Sequence, residues 1–201
     1  MNFLAHLYLS QEHTNILIGN FMADGIVGNK FSQYPEEIQK GIFLHREIDT
    51  FTDAHELVKK SKRRLNERYR HYKGVIIDIF YDHYLAKNWQ EYSAIPLNLY
   101  VQSVYQLLQD NVHLLPDRTK EMLPYMIEYN WLYNYQFTEG IQRVLNGMNN
   151  RTKQQSHMHL AVEDLLKNDT DFEEDFKLFF KELRIFSHQK LNQLLQENQT
   201  L

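Results

Sequence analysis

The chain has 201 residues, 43% of them hydrophobic and 24% charged, a balance that fills one core and would leave two independent domains small. With no cysteine, a disulfide framework, a thiolate metal site and a cysteine nucleophile are excluded, so any metal must be held by oxygen and imidazole. A formal net charge of −4 argues against general nucleic-acid affinity, and no uninterrupted apolar run reaches the roughly 18 residues of a membrane span.

Only seven Gly and four Pro leave few places to break helices, so the composition predicts an all-α, single-domain helical bundle over residues 1–201. The opening MNFLAHLYLS has no basic stretch before its apolar residues, and His6 interrupts them. The expectation is therefore a cytoplasmic protein with no membrane partner. Phe3, Leu4 and Leu7 predict a first helical turn, within which His6 by itself reads as a packed histidine sooner than as a ligand.

Apolar spacing then predicts helices over about 14–24, 35–52, 55–71, 73–89, 97–110, 117–134, 137–148, 155–167 and 171–197. Pro35 suits a helix start because its missing N–H would have no partner there, and Glu36 and Glu37 complement the positive helix end. Pro96, the Pro116-Asp117 pair and Asn146-Gly147 mark later breaks.

Two of these helices carry ionisable residues on their apolar side. In the helix from 35, Ile38, Ile42, His45, Asp49 and Thr52 share one stripe, and in the helix from 73 Asp78, Asp82, Leu85 and Trp89 share another beside Ile79, His83 and Ala86. An unpaired buried carboxylate costs several kcal/mol, so these acids must be exposed, paired with bases such as Arg46, Arg63 or Arg64, or bound to a cation. With Asp24 near the end of the helix from 14, three helices carry acids or imidazoles. Facing helices of a bundle can gather such groups around a divalent metal. A metal so held lowers the pKa of bound water and offsets charge on phosphoryl oxygens, which makes phosphoester hydrolysis the natural chemistry. No Gly-rich phosphate loop or G-x-S-x-G elbow competes with it.

These residues fall in a recognisable order: NFLAHL at 2–7, Gly19-Asn20 followed by Asp24, GIFLHREIDTFTD at 41–53, DIFYDHYLAKNW at 78–89 and VLNGMNNR at 144–151. In this the chain resembles the acyl carrier protein phosphodiesterase family over about its first three quarters. The resemblance implies an all-helical fold related to the HD-domain metal-dependent phosphohydrolases, although Asp82-His83 reverses the usual dipeptide. It further implies removal of 4′-phosphopantetheine from holo acyl carrier protein with a divalent metal, Mn²⁺ foremost, Mg²⁺ or Fe²⁺ otherwise. The metal ligands carried over are Asp24, His45 and Asp82, with Asp78, His6 and Asp49 as further candidates. His83 is the expected proton donor to the leaving serine and Arg46 the expected contact to a phosphate oxygen. Asn20 is expected to orient a ligand or bind substrate, and Arg151 to touch substrate.

The run KKSKRRLNERYRHYK, residues 59–73, holds eight Lys or Arg against one Glu. It reads as a solvated helix face or, through Lys59, Lys60, Arg63 and Arg64, as a docking surface for an acidic carrier protein. Two other readings remain open from sequence. One is an HD-like phosphohydrolase acting on a nucleotide or another phosphoester; the other is a non-catalytic helical module binding an acidic protein or RNA through this basic helix.

Overall fold

The computed structural model describes residues 1–196, and among them there is no strand. The helices are α1 (Phe3–Leu9), α2 (Thr14–Met22), α3 (Glu36–Ala54), α4 (Glu56–Arg64), α5 (Lys73–Lys87) and α6 (Leu97–Asp110). They are followed by α7 (Asp117–Glu128), α8 (Trp131–Asn134), α9 (Thr138–Arg151), α10 (Ala161–Lys167) and α11 (Asp169–Gln196), with short 3₁₀ turns between. The all-α expectation holds. Residue 197, the predicted end of the last helix, lies outside the described residues.

The helix predicted over 155–167 begins only at Ala161, after a 3₁₀ turn Met158–Leu160, and three further boundaries differ from the periodicity for a local reason. The predicted helix over 55–71 divides at Leu65-Asn66, because Asn66 turns its side-chain oxygen onto the N–H of Arg68 at 3.0 Å and caps a separate 3₁₀ turn, Glu67–Tyr72. The helix over 117–134 breaks at Asn130, which takes a left-handed conformation with φ of 45°; asparagine tolerates this better than most residues. Asn146-Gly147, expected to stop a helix, lies inside α9, where a glycine costs about 1 kcal/mol relative to alanine.

α5 runs through the centre of the bundle. From Ile76 to Ala86 only Asp78 is not buried, and a helix covered on all sides needs no single apolar stripe. α11 lies along it, at about 1.5 Å per residue the longest helix, and buries Phe172, Phe176, Phe179 and Phe180 completely. Tyr81 of α5 meets Phe176 and Phe179 at ring-centroid distances of 5.5 and 5.3 Å, and Phe80 meets Phe172 at 5.4 Å. Such tilted and edge-on pairs add about 0.5–1.5 kcal/mol each beyond the area they bury. The phenylalanine-rich last helix therefore closes the bundle.

α2 and α3 approach to backbone contact. A Cβ at Gly19 would overlap the carbonyl oxygen of Ile38, and one at Gly41 would overlap that of Ile16. The two glycines let the helices cross without side chains between them, and so bring the C-terminal end of α2 against His45, one turn beyond Gly41.

Candidate metal centre

His6 of α1 and His45 of α3 are buried and stack face to face, ring centroids 3.9 Å apart with planes 17° from parallel. Asp49, one turn after His45, lies against both: Oδ1 is 3.2 Å from His6 Nε2 and Oδ2 is 3.1 Å from His45 Nε2. One ligand atom from each of the three lies within 4.8 Å of the other two. Asp24, on the 3₁₀ turn Ala23–Gly25 after α2, approaches from the solvent side with Oδ1 3.2 Å from His45 Nε2. Asp78 of α5 faces the same group through the α-amino nitrogen of Met1, which lies 3.1 Å from Asp78 Oδ1 and 3.7 Å from Asp49 Oδ1.

Asn20 sets this geometry. His45 Nδ1–H donates to the Asn20 backbone carbonyl at 2.9 Å, with the Asn20 side-chain oxygen at 3.1 Å, which leaves Nε2 to face Asp24 and Asp49. The Asn20 amide nitrogen donates to the carbonyl of His6 at 2.9 Å and to Ser10 Oγ at 3.0 Å, tying α1 to α2. Asn20 is fully buried, and His6, Ser10 and His45 take up its side-chain atoms.

The charges here conflict. Burial and the neighbouring charge of His45 push His6 down to about 4, while His45, against the effect of its own burial, is pushed up to about 9 by the carboxylates of Asp24 and Asp49. Two imidazoles stacked this closely cannot both be cations. Burial opposes ionisation of Asp49, but hydrogen bonds from His45 and His6 hold it well below the usual carboxylate range. The hydrogen bond from His45 likewise lowers Asp24. Burial raises Asp78 despite the nearby amine.

The residues fit a divalent cation. His6 Nδ1 is buried without a hydrogen-bond partner, at a cost of about 1–3 kcal/mol for such a group. Two imidazoles with surrounding carboxylates form the mixed nitrogen and oxygen donor set that suits Mn²⁺, Fe²⁺ or Zn²⁺. The Nδ1–H bond from His45 to a backbone carbonyl is the outer contact that characteristically fixes a metal-ligating histidine.

Other residues singled out from the sequence lie elsewhere. Asp82 is fully buried, and its carboxylate accepts from the N–H of Leu4 at 2.7 Å and of Asn2 and Ala5 at 3.3 Å. It caps the start of α1, both oxygens engaged by donors that α1 cannot satisfy internally. His83 turns away from the cluster. Its Nδ1–H donates to the Tyr135 carbonyl at 2.7 Å, burial lowers its pKa, and its charged neighbours are Lys87, Asp169 and Glu173. Among the described residues it makes no hydrogen bond or ion pair with the cluster. Arg46 donates to the Gly28 carbonyl at 3.2 Å and lies over the Phe31 ring at 5.2 Å, so it fastens the 28–33 segment to α3. Arg151 is exposed at the end of α9 and has no hydrogen bond or ion pair to the cluster among the described residues. Beside it Asn149 is buried and accepts from Ser156 Oγ at 3.1 Å, so the VLNGMNNR stretch pins the following loop.

The basic run is largely neutralised within the chain. Lys60 lies 2.9 Å from Asp175, a buried carboxylate of α11 that also receives Arg64 and Ser61 Oγ, the latter at 3.0 Å. Lys59 pairs with Glu56 and Lys62 with Asp53, both at 2.9 Å, and Lys73 with Glu67 at 2.6 Å. Of the four expected docking residues, Arg63 alone is exposed without a carboxylate partner among the described residues.

Sequence reasoning missed the α-amino group of Met1 and the cavity beside Asp24 described below, since neither carries a spacing signal.

The helical frame brings two imidazoles and several carboxylates to one point, a donor group of the kind that holds a metal ion. The acyl carrier protein phosphodiesterase family model matches residues 1–183, and the chain belongs to that family. Similar curated proteins carry the same description. One from Klebsiella pneumoniae is 34% identical over 94% of this chain and 99% of its own, and one from Photorhabdus laumondii is 31% identical over 90% and 91%. A third, from Pectobacterium atrosepticum, is 31% identical over 90% of this chain and 94% of its own. No solved structure matches the chain. No helix among the described residues is long and apolar enough to cross a membrane.

Proposed function

We propose that the protein is a metal-dependent phosphodiesterase that hydrolyses the bond between the serine of holo acyl carrier protein and 4′-phosphopantetheine. The observation that carries this reading is the convergence of His6, His45 and Asp49 within 4.8 Å in a member of this family. His6, His45 and Asp49 would hold the ion, Mn²⁺ by preference, with Asp24 and Asp78 completing its surroundings. A divalent cation there supplies water of lowered pKa and neutralises charge on the phosphoryl oxygens. Asn20 keeps His45 in the tautomer that presents Nε2. Asp24, ionised and on the open side, accepts the proton of the attacking water. The oxygen of water bonds to phosphorus as the bond from phosphorus to the serine oxygen breaks, and a proton returns to that oxygen. Grouping of imidazoles and carboxylates from three helices supports the HD-like relation as part of this proposal. The paired state of α4 disfavours the non-catalytic reading, which needs a free basic face.

The test is incubation with holo carrier protein and Mn²⁺, followed by mass spectrometry of the carrier. Loss of the phosphopantetheine arm is expected from the wild type and not from Asp49→Ala. An intact arm with wild type, or equal loss with both, overturns the reading.

A further inference from the structure

A cavity of about 650 Å³ opens at the residue that follows Asp24, and no residue of the cluster itself lines it. Gly25 and Ile26 line it, so it begins at the residue after Asp24, whose carboxylate touches His45. Its second wall is the 3₁₀ segment Gly28–Gln33 with Tyr34, which Arg46 fastens to α3 next to His45. Its third is the turn into α7, from His113 to Lys120. Gly25 is held close to that turn: a Cβ there would lie 3.0 Å from Pro116 and 3.1 Å from Thr119 Oγ1.

We infer that this cavity receives the pantetheine arm of the substrate while the phosphodiester lies at the cluster and the carrier protein stays outside. The inference rests on the phosphodiesterase reading above and adds where the arm goes. Size favours it, because cavities that bury a ligand of this kind run from about 300 to 1,000 Å³. A folded carrier helix, about 10 Å across, would need a broad face instead. The chemistry of the walls matches a chain of dimethyl, hydroxyl and amide groups. Ile26, Tyr34, Leu114 and Pro116 offer apolar surface, and Gln33, Arg118 and Lys120 offer donors for amide and hydroxyl oxygens. Lys120 has a loose contact to Asp117 at 3.9 Å, and Lys30 and Arg118 have no carboxylate partner among the described residues. Those donors are therefore available to a ligand. Since the arm leaves with the phosphate, the same cavity holds the product, and free 4′-phosphopantetheine competes with substrate.

Two measurements test this. In the first, ¹⁵N-labelled wild type is titrated with pantetheine, which carries no phosphate and needs no metal. Amide shifts confined to residues 25–34 and 113–120 are expected, and shifts elsewhere, or none at millimolar ligand, overturn the inference. In the second, Leu114→Trp, which fills the cavity, and Arg118→Ala, at an exposed position, are compared with wild type on holo carrier protein and on bis(4-nitrophenyl) phosphate, a diester without the arm. The ratio of the two kcat/KM values is expected to fall at least tenfold, mainly through KM for the carrier, and the Ki of 4′-phosphopantetheine to rise in parallel. An unchanged ratio in both variants overturns the inference while leaving the phosphodiesterase reading intact. Failure of wild type to release the arm removes that reading instead, and the pantetheine titration still decides where the arm binds.

Discussion

Asp175 and the group around Asp49 are two places where this bundle buries ionisable side chains, and it satisfies them differently. Asp175 on α11 is nearly inaccessible, yet Lys60, Arg64 and Ser61 account for its oxygens and leave no conflict. The group around Asp49 has the opposite character: stacked imidazoles driven towards opposite protonation, an orphaned His6 Nδ1 and several carboxylates within reach of one point. A buried polar group with all its partners present stabilises the fold and asks for nothing further. One whose neighbours cannot all be satisfied together points to a ligand that would resolve the conflict.

The contrast predicts opposite consequences of substitution. The largest effect is expected at the cluster, where His45→Ala should abolish stoichiometric Mn²⁺ binding and reduce arm release at least about 100-fold, beyond the roughly 10–100-fold typical of losing an outer partner of a ligand. Metal analysis of the purified variant, with a cooperative thermal transition retained, checks this; full metal content would dissolve the distinction between the two regions. Next comes Asp175→Ala, which leaves Lys60 and Arg64 facing each other without a counter-charge. Removing one partner of a buried pair costs about 3–5 kcal/mol, towards the lower end here because Lys60 is half-exposed. Denaturant unfolding should show that loss, while kcat/KM of the folded fraction stays near wild type.

The smallest effect sharpens the comparison at a third acid, Asp82, whose carboxyl burial pushes up to about 7 against the opposing amine and backbone N–H groups. The folded state then keeps this proton to near neutrality, whereas the unfolded chain releases it near 3.8. This group's contribution to stability is complete below about pH 4 and is lost as pH rises through about 7. The unfolding midpoint of wild type should therefore fall relative to that of Asp82→Asn across this window, and a constant difference would show that Asp82 is ionised throughout.

Much of the candidate site was legible because it rests on helical periodicity. His45 and Asp49 are four residues apart, so they had to share a face, and Asp78 had to lie on the same side as the apolar residues of its helix. Asp82 shared the Asp78 stripe and was indistinguishable from it by spacing. One turn along α5 separates a carboxylate at the cluster from one beneath the start of α1, and only the placement of α1 tells them apart. The partners of His83 and of the α4 lysines were illegible for the same reason: sequence counts charges but does not show which are already paired.

The sequence by itself determined an all-helical chain, the family and the helices that carry its acids and imidazoles, because spacing along a helix fixes which side chains share a face. Only the tertiary structure decided which of those faces meet. Gly19 and Gly41 bring α2 onto α3, Asn20 then fixes His45, and α1 delivers His6 across the bundle to stack on it. Contacts between residues so distant in the chain depend on how whole helices pack, and no local spacing records that.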